Sequence, residues 1–132
     1  MGNGKPASGD GSKYLGKGCI HLTGKDQYKT ISDIWNADIE NANNHKQFDG
    51  KDIDELTTNL EIAMKASMYY WNEPKKVKIG SIARTGNGNK FADEDESAFV
   101  NQFVNGGQNN AEERLRIKNQ ALKILKKRKK KL

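Results

Sequence analysis

Residues that could contact a substrate lie close together near the start of the chain, between Tyr14 and Thr23. The alternation there is typical of a short extended segment, in which His21 and Thr23 share one face. Ile20 and Leu22 would face the other way. An imidazole and a hydroxyl on one face can both hydrogen-bond a polar ligand. The same pattern also fits the exposed side of an ordinary strand, so both interpretations stay open.

A second polar stretch lies before the predicted last helix and contains Asn105 and Arg114. Asn105 is followed by two glycines, a pattern that favours a helix ending in a left-handed turn. Arg114 follows two glutamates at a predicted helix start, where an ordinary surface ion pair would also explain it. From spacing alone, each residue therefore has a structural interpretation beside a functional one.

Paired carboxylates are the usual means of general acid and base catalysis, and three acidic pairs are present. Each of them falls at a predicted helix start, where capping and the helix dipole explain acidic residues without any catalysis. The pairs are Asp52/Asp54, Asp93/Asp95 and Glu112/Glu113. None of them is assigned as a general acid.

Four helices are predicted to position these residues. The second is the clearest, because apolar residues from Ile53 to Trp71 recur at steps of three and four, with Leu60, Met64 and Met68 expected to face inward. In the last helix, Ile117, Ala121, Ile124 and Leu125 are expected to share one face, with charged residues elsewhere. The predicted helices span Asp26–Trp35, about Asp52–Trp71 with Pro74 as its stop, Asp93–Val104, and Ala111 to about Lys127.

The predicted fold class is all-α, with about four helices and one short extended segment near the N-terminus. The region Lys75–Lys90 is basic and rich in turn-forming residues, so a mobile loop is expected there. The 132 residues suffice for one small domain with a thin core. We expect a flexible segment over residues 1–13, a single domain over 14–125 and a basic tail over 126–132.

Several classes of protein are disfavoured by composition. No apolar run reaches the length of a membrane span, and Met1–Gly16 contains no stretch resembling a signal peptide, so localisation stays open. The single Cys19 cannot form an internal disulfide and is expected to be a small buried residue. No cofactor or metal is predicted.

The net charge of +6 comes from one run, Lys126–Lys131, which alone supplies six positive charges. The simplest explanation is a solvated helix end whose lysines complement the dipole. Attraction to an anionic bacterial envelope is a second explanation. Nucleic acid is an unlikely partner, since the run has no interleaved aromatic residues.

The stretch Tyr14–Tyr28 resembles the signature Y-x-G-R-G-x-I-Q-L-T-G-x-x-N-Y of family 19 glycoside hydrolases, the chitinase and phage-endolysin type. Three further stretches are similar to that family in the same order. They are Ala66–Trp71, the end of its long central helix; Phe91–Asp93; and Val104–Arg114, its I-N-G-G-x-N-G-x-x-D-R block. The matches run from about Gly9 to Leu125 and resemble the C-terminal half of a lysozyme-like α+β catalytic domain.

The resemblance implies roles for five residues. Thr23 matches a hydroxyl residue that helps to hold the attacking water, while His21 and Gln27 match amide positions that hydrogen-bond the sugar. Asn105 matches an asparagine of the same groove, and Arg114 an arginine that supports the acidic cluster. His21 replaces the usual Gln and Gln27 the usual Asn. A histidine can still donate a hydrogen bond, but its charge varies near neutral pH.

The resemblance also implies that the two catalytic glutamates lie upstream of the Tyr14–Tyr28 signature, outside this chain. The first hypothesis is therefore a hydrolase of β-1,4-linked aminosugar polymers, peptidoglycan or chitin, whose acid-bearing half is a missing N-terminal half or a partner chain. The alternative is a non-catalytic module that binds cell-wall glycan. A half-domain would expose apolar surface, so marginal stability or self-association is expected.

Overall fold

The structure is a computed structural model that describes residues 1–129. The chain divides into two compact units, Met1–Glu73 and Pro74–Leu132. Within the described residues the fold is helix-rich, with seven α-helices and one two-stranded sheet. The prediction of about four helices in an all-α fold was therefore right in its helical character and wrong in its helix count and its lack of a sheet. A single domain over 14–125 stays a prediction.

The first unit contains four α-helices, two of which form its centre. Helices α2 and α4 pack together and bury aromatic and aliphatic side chains from both. In α2, Tyr28, Ile31 and Trp35 are buried at helical spacing, which confirms the helix predicted over Asp26–Trp35. The helices are α1 Asp10–Lys13, α2 Lys25–Ala37, α3 Glu55–Thr58 and α4 Leu60–Asn72.

The helix predicted over about Asp52–Trp71 is two helices, because the chain breaks at Asn59. Asn59 is extended (φ −121°, ψ 107°), and its side chain accepts a hydrogen bond from the backbone N–H of Ile62 at 3.2 Å. It is thus the N-cap of α4. The buried face of α4 consists of Ile62, Ala63, Ala66 and Tyr70. The predicted apolar face is thus buried only in part, since Leu60, Met64 and Met68 are exposed by 74%, 50% and 60%.

The first 13 residues contain a short 3-10 turn over Pro6–Ser8 and the single turn of α1. The Asn3 side chain accepts a hydrogen bond from the backbone N–H of Lys25 at 2.9 Å, at the start of α2. These residues are thus in contact with the rest of the first unit. The flexibility predicted for them stays a prediction.

The second unit begins with an antiparallel hairpin of strands β1 Lys75–Ile79 and β2 Ile82–Gly86. The mobile loop predicted here was wrong. Alternation in β1 buries Val77 between exposed lysines, and Gly80 supplies the left-handed φ of 57° in the two-residue turn. Lysine-rich composition concealed a period-two pattern in this segment.

Three helices follow: α5 Gly88–Asp93, α6 Ser97–Asn105 and α7 Ala111–Lys129. Phe91 of α5 and Phe103 of α6 are buried, and their rings lie 6.1 Å apart. The predicted helix Asp93–Val104 corresponds to α6 with a later start. Residues 130–132 of the predicted basic tail lie outside the described residues, while α7 continues as helix through Lys129.

The helix predicted from Ala111 to about Lys127 is confirmed as α7, and the apolar residues predicted to share one of its faces are exposed. Ile117 is exposed by 52%, and Ile124 and Leu125 by 58% each. Across the described part of the chain, no helix has both the length and the apolar character needed to cross a membrane.

Candidate functional site

Residues 14–24, here called the glycine loop, form a tight turn rather than the predicted extended segment. Lys17 and Leu22 exchange two backbone hydrogen bonds, of 3.1 and 2.9 Å, and close the turn between them. Within the turn, Gly18 and His21 both have left-handed backbones, with φ of 72° and 58°. The simple alternation therefore fails at His21, whose left-handed backbone is uncommon for a residue that is not glycine.

The glycines of the loop have distinct physical requirements. A Cβ added to Gly16 would lie 2.4 Å from Nδ1 of His21, so the absence of a side chain makes room for the imidazole. Gly18 and Gly24 have positive φ, of 72° and 86°, and Gly24 is the residue before α2. The Gly-x-Gly spacing of this stretch therefore serves the position of the His21 ring and the turn around it.

The two tyrosines that bracket the motif belong to the core. The Tyr14 hydroxyl donates to the carbonyl of Asp49 at 2.7 Å, and the Tyr28 hydroxyl donates to the carbonyl of Leu15 at 2.5 Å. Their ring centroids lie 5.4 Å apart. Burial raises the pKa of the Tyr28 hydroxyl to about 12. These residues hold the loop against the first unit and leave its polar tip in solvent.

His21 and Thr23 lie together at the exposed side of the loop. The Thr23 hydroxyl donates to the backbone carbonyl of His21 at 2.7 Å, which fixes the direction of its proton. Its oxygen lone pairs can still accept a hydrogen bond from a water or a sugar hydroxyl. The structure thus orients the Thr23 hydroxyl through the His21 backbone, and the side chains of both residues are exposed.

Gln27, in the first turn of α2, fixes the position of the Thr23 backbone. Its Oε1 accepts the backbone N–H of Thr23, the residue before the N-cap Gly24, at 3.0 Å. The Gln27 side chain also hydrogen-bonds the hydroxyl of Tyr70, a buried residue of α4 whose pKa is raised mainly by burial. Sequence reasoning assigned Gln27 to the sugar and missed this structural connection. Its role toward a sugar stays a prediction.

Cys19, expected to be buried, is exposed at the tip of the glycine loop, so that prediction was wrong. Its Sγ lies 3.4 Å from Sδ of Met64 on the exposed side of α4. The left-handed Gly18 turns the chain so that residue 19 projects outward. The small size of a cysteine was a weak guide to burial in a turn.

Asn105 and Arg114 contact each other within the second unit. Arg114 donates from Nη2 to Oδ1 of Asn105 at 3.3 Å and from Nη1 to Oδ1 of Asn101 at 3.5 Å. Gly106 ends α6 in a left-handed turn with φ 66°, as the sequence predicted. Glu113 pairs with Arg116 instead of Arg114. Arg114 therefore orients an amide and is not part of the surface ion pair that was the alternative.

Arg114 also borders a groove of about 310 Å³ in the second unit. Its apolar floor includes Phe91, Val100 and Leu115, and its rim includes Asn101 and Lys118. Lys118 donates to Ser97 at 2.6 Å and pairs with the carboxylate of Asp95. Sequence reasoning did not find this groove, because residues of α5, α6 and α7 form it jointly. Thr23 belongs to the first unit and Asn105 to the second, and their predicted meeting in one trench stays a prediction.

Three carboxyl groups have pKa values below their ordinary range. Hydrogen bonds from Tyr69 to Asp38, from Lys118 to Asp95 and from Arg116 to Glu113 are the main causes. A general acid needs a shift in the opposite direction. Among the predicted capping pairs, Glu112 and Glu113 lie in the first turn of α7 as expected, whereas Asp93 ends α5 and starts no helix.

A polar network that sequence reasoning missed connects α4 to the end of α2. Tyr69 donates to Asp38, and buried Asn41 donates to the Tyr69 hydroxyl at 2.9 Å. Lys65 donates to Oδ1 of Asn41 at 2.7 Å and lies 5.2 Å from the Trp35 ring centroid. The network stabilises the turn after α2. Asp38 ahead of a turn was the one available sequence signal.

No group of three or more His, Cys, Asp or Glu side chains suited to a metal ion occurs among the described residues. The candidate contacts predicted from the sequence are hydroxyl, imidazole, amide and guanidinium groups. In the first unit these groups are Thr23, His21 and Gln27, and in the second they are Asn105 and Arg114.

Sequence comparison identifies a distant relative. A protein of Haemophilus influenzae, described as a glycosyl hydrolase family 19 domain-containing protein, is 28% identical to the chain over 117 residues. The match covers 89% of this chain and 45% of the relative, so the chain spans less than half of the relative's length. No family model matches the chain, and no solved structure matches it. The relationship that this similarity supports is distant and glycoside hydrolase-like.

Proposed function

We propose that the chain is one part of a glycoside hydrolase-like protein that acts on or binds β-1,4-linked N-acetylated aminosugar polymers, peptidoglycan or chitin. The observation that carries the proposal is the geometry at Thr23. Its proton is committed to the His21 carbonyl at 2.7 Å, and its exposed oxygen can accept from a ligand. The similarity to a family 19 glycosyl hydrolase domain-containing protein gives this acceptor a glycan context.

In this proposal Thr23 positions a water or a sugar hydroxyl and does not ionise. The fixed direction of its proton leaves only an acceptor toward the ligand, so a water bound there presents its own lone pair elsewhere. His21 and Gln27 would contact the sugar beside it. In the second unit, the amide of Asn105, oriented by Arg114 at 3.3 Å, is a separate candidate for a sugar contact. The general acid and base would come from a region that this chain does not contain.

A non-catalytic glycan-binding module is the second candidate. The lowered pKa values of Asp38, Asp95 and Glu113 agree with both candidates, because neither candidate assigns a proton donor to this chain. Both candidates predict binding of aminosugar oligomers through Thr23. They differ in whether hydrolysis appears once the missing carboxylates are supplied.

The test measures hydrolysis and binding with the same chain. Purified protein is incubated with peptidoglycan and, separately, with N-acetylglucosamine oligomers, and binding of each is measured by calorimetry. Thr23→Ala is compared with Thr57→Ala, whose exposed hydroxyl makes an equivalent 2.9 Å bond to the carbonyl of Asp54. We expect no turnover by any of the three proteins, and about fivefold weaker binding for Thr23→Ala only, the size of one hydrogen bond.

Two outcomes would contradict the proposal. Turnover that Thr23→Ala abolishes would mean that this chain contains its own general acid. Equal binding by wild type, Thr23→Ala and Thr57→Ala would remove Thr23 from the site. Preference for peptidoglycan or for the chitin-type oligomer in the same titration identifies the polymer.

A further inference from the structure

The last helix combines an exposed apolar face with a one-sided charge. From Arg114 to the end of the chain there are ten Lys or Arg residues and no Asp or Glu. Over the same helix, five large apolar side chains are at least 40% exposed: Leu115, Ile117, Leu122, Ile124 and Leu125. Of these residues, the candidate glycan site uses only Arg114.

Among the described residues, side chains of α7 form hydrogen bonds to other elements of the second unit only from its first two turns. Arg114 bonds to Asn101 and Asn105, and Lys118 bonds to Asp95 and Ser97. Beyond Lys118, no side chain in the described part of α7 has a hydrogen bond or ion pair to another element. The helix beyond Lys118 therefore has both of its faces in solvent, and Ile117 just before it is 52% exposed.

From Arg116 onward, here called the distal part, α7 has one apolar and one basic side. Ile117, Ala121 and Ile124 follow the i, i+4, i+7 spacing of one face, with Leu122 and Leu125 beside them. The opposite half contains the basic residues Arg116, Lys123, Lys126 and Lys127. Arg128 lies on the apolar side near the end, where a long side chain can reach a polar boundary.

Charge decides which occupant fits this face. A second copy would bring two strongly positive helices together, and their repulsion opposes pairing. A nucleic acid would match the charge but leave the apolar half in water. The surface of an anionic bilayer satisfies both halves, since apolar side chains enter the headgroup boundary while lysines contact acidic lipids.

We infer that the distal part of α7 is an interfacial helix that binds the surface of anionic phospholipid bilayers, with Ile117, Ile124 and Leu125 inserted and the opposite lysines on the headgroups. This inference is independent of the glycan proposal, because none of the α7 residues from Ile117 onward belongs to the candidate glycan site and no catalytic activity is needed. It makes the exposed apolar face of α7 a binding surface.

Two matched triple variants separate the contributions of the two faces. Ile117→Gln/Ile124→Gln/Leu125→Gln removes the apolar face and keeps every charge. Lys123→Gln/Lys126→Gln/Lys127→Gln removes three charges and keeps the apolar face. Glutamine is a good helix former, and far-UV circular dichroism verifies that α7 is retained in both.

A third variant controls for exposed apolar surface in general. Leu60, Met64 and Met68 of α4 are as exposed as the α7 face but lie outside the basic segment. Leu60→Gln/Met64→Gln/Met68→Gln should therefore bind vesicles like the wild type. It has the same number and kind of substitutions as the α7 variants.

The full chain is titrated with vesicles of phosphatidylcholine alone and of phosphatidylcholine with an equal amount of phosphatidylglycerol, and binding is measured by co-sedimentation. We expect binding to the anionic vesicles only, weakened about tenfold or more by the apolar variant. The charge variant should weaken it by about a hundredfold, at roughly 1 kcal/mol for each lysine near the surface.

Several results would overturn the inference. Wild-type binding by the apolar variant would indicate simple charge attraction, and equal binding to both vesicle types would remove the role of charge. Equal loss in the α4 variant would point to unspecific adhesion. Tighter binding to a DNA duplex than to vesicles, or self-association in sedimentation that the apolar α7 variant abolishes, would assign the face to a nucleic acid or a second copy.

Discussion

The glycine loop and helix α7 differ in the burial of their large apolar and aromatic side chains. In the loop, the motif residues Tyr14, Leu22 and Tyr28 are almost fully buried, and Gln27 hydrogen-bonds the backbone of Thr23. In α7, large apolar side chains such as Ile124 are more than half exposed. The loop is therefore specified by its own contacts, whereas the apolar face of α7 contributes little to the stability of the unit that carries it.

The residues of a sequence motif can have two roles: some build the local structure, and others contact a ligand. Most of the Tyr14–Tyr28 signature positions build the loop, and the side chains left in solvent are few, His21 and Thr23 among them. A motif match of this kind is strong evidence for a local structure. Its evidence for chemistry rests on the small exposed remainder.

The largest expected effect is on folding. Tyr28→Ala removes a fully buried ring and its 2.5 Å hydrogen bond to Leu15, and should reduce the free energy of unfolding by about 3–5 kcal/mol. Ile124→Ala in α7 should change it by less than about 0.5 kcal/mol. Chemical denaturation followed by circular dichroism measures both. Similar losses for the two variants would mean that α7 is packed against something in solution.

A smaller effect is expected at the glycines of the loop. Gly18→Ala must place a side chain on a left-handed backbone with φ 72°, at a cost of about 1–2 kcal/mol. Gly11→Ala is the matched control, because Gly11 lies in α1 and an added Cβ has no neighbour within 4 Å. The melting temperatures of the Gly18→Ala and Gly11→Ala variants measure the two effects. A neutral Gly18→Ala would show that the loop tip is not fixed as described.

The Tyr69 network predicts a dependence on pH. The hydrogen bond from Tyr69 lowers the pKa of the Asp38 carboxyl, and burial followed by Asp38 raises that of Tyr69 to about 12. The network therefore stabilises the fold above the ordinary Asp value of 3.8 and below the ordinary Tyr value of 10.0. This contribution to stability is lost as the pH falls through the lowered pKa of Asp38, or as it rises toward the Tyr69 pKa of about 12.

Tyr69→Phe should accordingly lower the melting temperature at pH 7, and the difference from wild type should narrow at pH 3 and at pH 11. Met68→Leu, at the exposed neighbouring position, should leave the melting temperature unchanged at each pH. A Tyr69→Phe difference that stays constant with pH would show that the lost packing, and not the Asp38 bond, is what matters.

Helical periodicity predicted where helices occur better than which of their faces is buried. In the segment predicted as one helix over about Asp52–Trp71, the break at Asn59 rotates the buried face to Ile62, Ala66 and Tyr70. An N-cap asparagine inside an apolar repeat was the signal, and the steps of three and four on both sides concealed it. In α7 the pattern correctly predicted a helix, but a pattern alone does not supply the element that would bury it.

The candidate site was predictable only where it is local in sequence. His21, Thr23 and Gln27 lie within one motif, and the structure brings them together. The contact between Asn105 and Arg114 depends on the Gly106 turn between α6 and α7, which the Asn-Gly-Gly pattern indicated. Tyr70 behind Gln27 was not predictable, since their proximity results from the packing of α2 against α4.

The smallest expected effect tests whether Gln27 belongs to the scaffold or to the ligand site. Gln27→Met keeps the length of the side chain and removes its bonds to the Thr23 N–H and to Tyr70, at a cost of about 1 kcal/mol. Gln27→Glu keeps an acceptor for Thr23 and should cost less. Gln120→Met on the exposed surface of α7 is the matched control and should cost almost nothing.

Hydrogen exchange at the Thr23 amide distinguishes the two roles directly. If Gln27 holds the loop, this amide should exchange about tenfold faster in Gln27→Met and close to the wild-type rate in Gln27→Glu, because only the first variant removes its acceptor. An unchanged exchange rate of the Thr23 amide in Gln27→Met would mean that the Gln27 side chain does not hold the loop through this hydrogen bond. The Gln27 side chain would then be free for the sugar contact that the family resemblance implies. Gln27 would in that case belong with the exposed ligand-contacting residues and not with the residues that build the loop.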